Sequence, residues 1–173
     1  MTVPIRPVLA LLLCGSALAQ TDHSAHGAAP TPSSDRTFLS GMVAHHIAAV
    51  QMSKLVLATT KNPQVKGWAQ TILKAQEQEI RQMNTLLAGG RDTAAAARMT
   101  AEMAPMLGRL KAAAGVSRDR VFVQGMVGHH ASAVTMATGA LTTSRSPAVL
   151  KLARDIVRAQ AQEIYDFQLY LNR

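Results

Sequence analysis

The sequence predicts an all-α protein, a four-helix bundle built from two copies of one helical hairpin with a partly helical connector. Three observations predict it. Alanine and methionine are plentiful while aromatic residues make up 3% of the 173-residue chain, a composition that favours helix over strand. The segment starting Asp35, Arg36, Phe38 overlays the segment starting Asp119, Arg120, Phe122 without a gap to the C-terminus. About 23 of 55 positions are identical at a spacing of 84 residues, a strong internal repeat. Each copy is also punctuated once, by Asn62-Pro63 and by Ser146-Pro147, a capping residue followed by proline at the first helical position.

The elements follow in chain order. Residues 1–19 read as a secretory signal peptide: Arg6 is the basic start, Val8 to Leu13 the apolar run, and Ala17-Leu18-Ala19 the cleavage pattern. The run is too short to span a bilayer. Leu13 before Cys14 argues against lipidation, so the chain is expected to be periplasmic or secreted after cleavage near Ala19. Residues 20–34, small and polar with Pro and Ser, read as a flexible tether. The repeats occupy 35–89 and 119–173. In each, a first helix spans roughly 36–60 or 120–144 and a second roughly 63–88 or 147–172. Each helix is about 36 Å long at 1.5 Å per residue, and two hairpins with one apolar stripe apiece bury it best against each other. The connector, 90–118, follows Gly89-Gly90 and is expected to hold one or two short helices, because Pro105 opposes an unbroken one. Ser117 is the expected cap of the next helix.

Composition excludes several functions. The single cysteine, Cys14, leaves with the signal, so no disulfide or thiolate ligand is available. Loss of Arg6 takes the formal charge from +8 to +7. The basic residues are scattered, with no run of four and no aromatic interleaving, so nucleic acid is not an expected partner. No later stretch is apolar enough for a membrane span. There is no nucleophile elbow, phosphate-binding glycine loop or His-Glu-x-x-His, and no catalytic residue is assigned.

The chemistry concentrates in the histidines. Four of the six stand as two adjacent pairs, His45-His46 and His129-His130, each following a methionine, Met42 or Met126, by three and four residues. At 100° per residue, Phe38, Met42, His45, Ala49, Met52 and Val56 share one stripe, while His46 joins Leu39, Val43, Val50 and Leu57 beside it. On the second helices Glu79 and Glu163 fall in the apolar stripe, with Gln76 and Gln160 one turn earlier. A carboxylate there needs a partner, and an imidazole on the facing helix supplies one. Adjacent helical residues diverge by about 100°, so each pair is expected to divide: one imidazole toward Glu, the other toward the bundle seam beside methionine. Thioethers and imidazoles without paired carboxylates favour copper, Cu(I) in particular. The candidate ligands are Met42, His45, His46 and Met52 in one repeat and Met126, His129, His130 and Met136 in the other. Glu79, Glu163, Gln76 and Gln160 would orient them. His23 and His26 in the tether form an auxiliary site for a divalent ion. Met99, Met103 and Met106 in the connector read as core.

These residues resemble the family called "domain of unknown function 305". Its pattern, Met-x-x-His-His-x-x-Ala-Val/Ile-x-Met and then Ala-Gln-x-x-Glu-Ile, is met at Met42, His45, His46, Ala49, Val50 and Met52, then Ala75, Gln76, Glu79 and Ile80. It recurs at Met126, His129, His130, Ala133, Val134 and Met136, then Ala159, Gln160, Glu163 and Ile164. The resemblance covers residues 35–173. It implies a ferritin-like helical fold in an exported protein, some members binding copper through Met and His for metal resistance. The connector here is poorer in Met and His than in the most copper-rich relatives, which implies few sites rather than a store. The leading expectation is therefore a non-enzymatic exported protein that binds or sequesters copper. A second is a structural or interaction bundle whose His–Glu pairs register the hairpins without metal. A ferritin-like oxidase ranks third, since no Glu precedes the histidines by three residues as di-iron bundles require. Homo-oligomer formation and any protein partner are left open.

Overall fold

The computed structural model describes residues 33–173 and is entirely helical there, with no strand among the described residues. Five helices follow in order: α1 (Ser33–Leu57), α2 (Pro63–Leu87), α3 (Thr93–Ala112), α4 (Gly115–Thr143) and α5 (Pro147–Leu171). The signal segment and residues 20–32 of the tether, with His23 and His26, lie outside the described residues, while Ser33 and Ser34, expected in the tether, begin α1.

Both hairpin turns form as their capping residues dictate. Asn62 Oδ1 accepts from the backbone N–H of Gln64 at 2.9 Å and of Val65 at 3.2 Å, and Ser146 Oγ accepts from Val149 N–H at 3.4 Å. Proline at the next position gives up a donor the helix could not use. α2 ends in a left-handed residue, Ala88 (φ 46°), followed by Gly89 (φ 82°), where glycine meets no Cβ penalty.

α1 packs against α2, α3 and α4, and α4 against α5, whereas α2 and α5 barely meet. The direction of the central pair follows from the core. Met42 shares one apolar cluster with Ala133 and Ala137, while Ala49 and Met52 share another with Phe122 and Met126. α1 and α4 therefore run antiparallel, and the repeats are related by a pseudo-twofold axis through their crossing. Each cluster draws on all four bundle helices: Met83 and Ile156 close one, Ile72 and Phe167 the other.

α3 breaks this symmetry. It lies mainly on α1, through Ala95, Met99, Met103 and Leu110, and only grazes α4. Asp92 ties its start to α1, accepting from Ala95 N–H (2.9 Å) and Thr37 Oγ–H (2.7 Å) while donating its own N–H to Ser40 Oγ (2.9 Å). These two bonds hold the Asp92 carboxyl below its usual range. With α3 in place, nine consecutive α1 residues, Phe38 to His46, are all buried, as in a helix enclosed on every side. The α4 equivalents Gln124 and Gly128 stay exposed.

Two expectations about the connector are corrected. It is one helix that runs straight through Pro105, not one or two short ones. The ring removes one intrahelical bond at an exposed position, and anchoring on α1 outweighs that loss. α4 also begins earlier than expected, at Gly115 (φ 54°), so Ser117 lies within its first turn. The capping position is Ala114, which has no side-chain bond. The junction is held instead by Arg118, whose Nε donates to Ala113 O at 2.7 Å.

Candidate metal centre

All four paired histidines are completely buried, because they sit where α1 and α4 cross and separate the two apolar clusters. Their roles divide by direction. His46 Nε2 donates to Glu79 Oε2 at 2.8 Å, joining α1 to α2. His130 Nε2 stands 2.7 Å from Glu163 Oε2, joining α4 to α5, although its ring N–H points off the line to that oxygen. The His130 ring also leans on Phe167, with centroids 5.5 Å apart. The carboxylates are less enclosed than expected, with side-chain exposures of 19% and 24%. Each pair thus runs from the core to the bundle edge, where water shares the cost of the charge.

His45 and His129 face each other instead. Their ring centroids are 3.6 Å apart with planes inclined by 38°, and His129 Nε2 lies 3.0 Å from the carbonyl oxygen of His45. A carbonyl only accepts, so Nε2 carries the proton, and in the neutral ring Nδ1 keeps a bare lone pair. Burial holds both rings neutral. It lowers His45 to about 3, helped by the neighbouring His46 and His130. His129 lies well below the usual imidazole range, chiefly through burial and then through His45 and His130. His45 Nδ1 and Nε2 and His129 Nδ1 are all buried without a hydrogen-bond partner. Leaving such groups unpaired costs about 1–3 kcal/mol each. Two neutral imidazoles with unused lone pairs, facing each other in a fully buried layer, have the character of ligands.

Met42 and Met126 precede this pair by one helical turn, fully buried, one in each apolar cluster. Met52 and Met136 stand seven residues beyond their histidines, about 10 Å along the axis, and line separate cavities beside α3. Gln76 and Gln160 are buried, yet Gln76 Oε1 and both amide atoms of Gln160 have no partner, so those atoms hold no imidazole. Among the described residues no three of His, Cys, Asp and Glu converge on one point. A metal held here would rest on two imidazoles, with thioethers from Met42 and Met126 as the further donors one helical turn away. That donor set fits a soft ion such as Cu(I) and suits a hard or hydrolytic one poorly.

The sequence did not signal that His45 meets His129. A duplicated helix packed on its own copy brings equivalent residues together at the axis, and the 84-residue spacing was the available clue.

A helical bundle with a histidine layer at the axis of a duplicated hairpin defines the class of protein. The model of the family described as "Domain of unknown function (DUF305)" matches residues 14–87 and again residues 88–171, and the chain belongs to that family. A solved DUF305 fragment from Deinococcus radiodurans is 27% identical, with a TM-score of 0.70 over 84% of this chain and 99% of that one. CopM in its Cu(I)-bound form is 29% identical, with a TM-score of 0.64 over 80% of this chain and 95% of that one. CopM is also known in Cu(II)-bound, Ag-bound and apo forms. An uncharacterized protein of Acanthamoeba polyphaga mimivirus, L153, is 42% identical over 53 residues, 31% of this chain. The match spans about a third (35%) of that relative. Among the described residues no helix is long and apolar enough to cross a membrane.

Proposed function

We propose that this protein is an exported, non-catalytic copper-binding bundle that takes up Cu(I) at the axis between its repeats and so buffers or sequesters the metal. The observation that carries the reading is the His45–His129 pair: two fully buried, neutral imidazoles 3.6 Å apart with unpartnered nitrogens. Met42 and Met126 supply thioethers from either side, and neutral imidazole with thioether is a Cu(I) donor set. CopM, similar over 80% of this chain, has been crystallised with copper and silver. His46–Glu79 and His130–Glu163 hold each hairpin and fix the rings beside the site. Export is inferred from the N-terminal pattern ending at Ala19, with His23 and His26 as an auxiliary divalent site.

Anaerobic competition with a chromogenic Cu(I) chelator tests this. The chain should withdraw Cu(I) from the chelator, and replacing His45 and His129 together with Gln should remove one equivalent of that uptake. Retention of the same affinity by the double variant would refute the assignment. The alternative, in which the histidines only register the hairpins, is favoured by the two His–Glu contacts, each joining the two helices of one hairpin. It predicts a chain that withdraws no copper at all.

A further inference from the structure

The pseudo-twofold axis generates a second pair of features that the histidine site does not use. On each repeat the glycine before the metal-motif methionine, Gly41 or Gly125, packs beside methionines of other helices. A Cβ on Gly41 would sit 3.4 Å from Met136 Cε, and one on Gly125 would sit 3.4 Å from Met106 Cγ. Each glycine opens into a cavity lined by two methionines, one from the opposite repeat and one from α3. The cavity at Gly41 holds Met136 and Met99, and the cavity at Gly125 holds Met52 and Met106. The seven-residue spacing of Met99 and Met106, two helical turns, lets a single connector helix serve both.

The two cavities differ in charge. That at Gly41, about 390 Å³, is also lined by Asp35, which is 2% exposed and has a buried Oδ2 with no hydrogen-bond partner. The equivalent aspartate, Asp119, accepts from Thr60 Oγ–H at 2.9 Å through Oδ2 while its Oδ1 is buried without a partner, and it does not line the Gly125 cavity. A buried carboxylate oxygen without a partner is costly unless a cation meets it. Two thioethers in the same cavity restrict which cation that is, since sulfur selects soft ions. Met99 and Met103 form one small buried cluster with Met136 packed against it, so Met99 and Met136 pack in one apolar environment. Arg98 and Glu102, both exposed and of opposite charge, also line this cavity.

We propose that the cleft between α1, α3 and α4 is a separate binding site for a soft monovalent cation, Cu(I) or Ag(I), held by the thioethers of Met99 and Met136 and neutralised by Asp35. It is reached from the surface, unlike the enclosed histidine pair, and does not depend on that pair. The Gly125 cavity, which has the thioethers without the carboxylate, is not such a site.

The test is a silver titration of the chain labelled with ¹³C at the methionine methyls, Ag(I) being redox-inert. The Met99 and Met136 methyl signals should shift as silver binds, with Met52 and Met106 unmoved. Native mass spectrometry of Met99→Leu/Met136→Leu should show one fewer silver ion than the wild-type chain. Leu for Met conserves volume and is usually tolerated, and the methyl shifts in the wild-type chain stand whether or not this variant folds. Asp35→Asn should weaken the site on the order of tenfold or more, as expected for loss of a nearby charge. If silver binds while the Met99 and Met136 methyls stay put, or if the double Leu variant binds as many ions as before, the site does not exist. The His45→Gln/His129→Gln variant should keep the Met99 and Met136 shifts. Cu(I) affinity unchanged in that variant would sink the histidine assignment and leave this one standing.

Discussion

At the scale of single residues, burial decides the chemistry. His45 and His129 are fully buried with no carboxylate at their rings, whereas His46 and His130, one position along, find Glu79 and Glu163. The consequence for stability has a definite sign. Unfolded, His45 takes up a proton near pH 6.5; folded, it does so only near 3. Between those values the unfolded chain binds more protons, so stability is lost as the pH falls through that window. Each such histidine contributes a slope of about 1.4 kcal/mol per pH unit. The groups around the pair are His46, His130 and, behind them, Glu79 and Glu163. Urea unfolding of the metal-free chain should therefore show a midpoint that falls steadily from pH 6.5 to 4. A flat midpoint would mean that the pair is not buried as described. The identity of the paired histidines, their methionines and the opposing glutamates was legible in the sequence, because each leaves a polar mark at a fixed place in an apolar stripe. The contact of His45 with His129 was not, since nothing local to either residue specifies what crosses the axis.

At the scale of elements, caps and prolines gave the hairpins correctly and the connector incorrectly. Asn62-Pro63 and Ser146-Pro147 act locally, so their signal survives into the structure. Pro105 is also a local signal, but burial of Ala95, Met99, Met103 and Leu110 on α1 is a tertiary term that no local rule contains. The strain should still be present. Proline in a helix interior costs about 3 kcal/mol relative to alanine, so Pro105→Ala should raise the unfolding free energy by up to that amount without changing the fold. Denaturant unfolding with circular dichroism checks this; a loss of stability would mean the proline is needed where it stands. The placement of α3 on one repeat also explains why α1 is enclosed while α4 keeps an exposed side. That asymmetry is visible in the sequence only as Ser40 and Ala44 against Gln124 and Gly128.

At the scale of the whole molecule, duplication assembles the proposed site. One hairpin offers a histidine held by glutamate and a second histidine with no partner. Two hairpins related by an axis bring the unpartnered histidines together, with a buried methionine in the apolar cluster on either side. In the proposed function these two neutral rings are Cu(I) ligands. Imidazole ¹⁵N spectra of the chain before and after one equivalent of Cu(I), recorded without oxygen, test it most directly. His129 Nδ1 and one nitrogen of His45 should leave the unprotonated range for the metal-bound range, while His46 and His130 stay where they are. Copper uptake that leaves the His45 and His129 nitrogens unmoved would contradict the account.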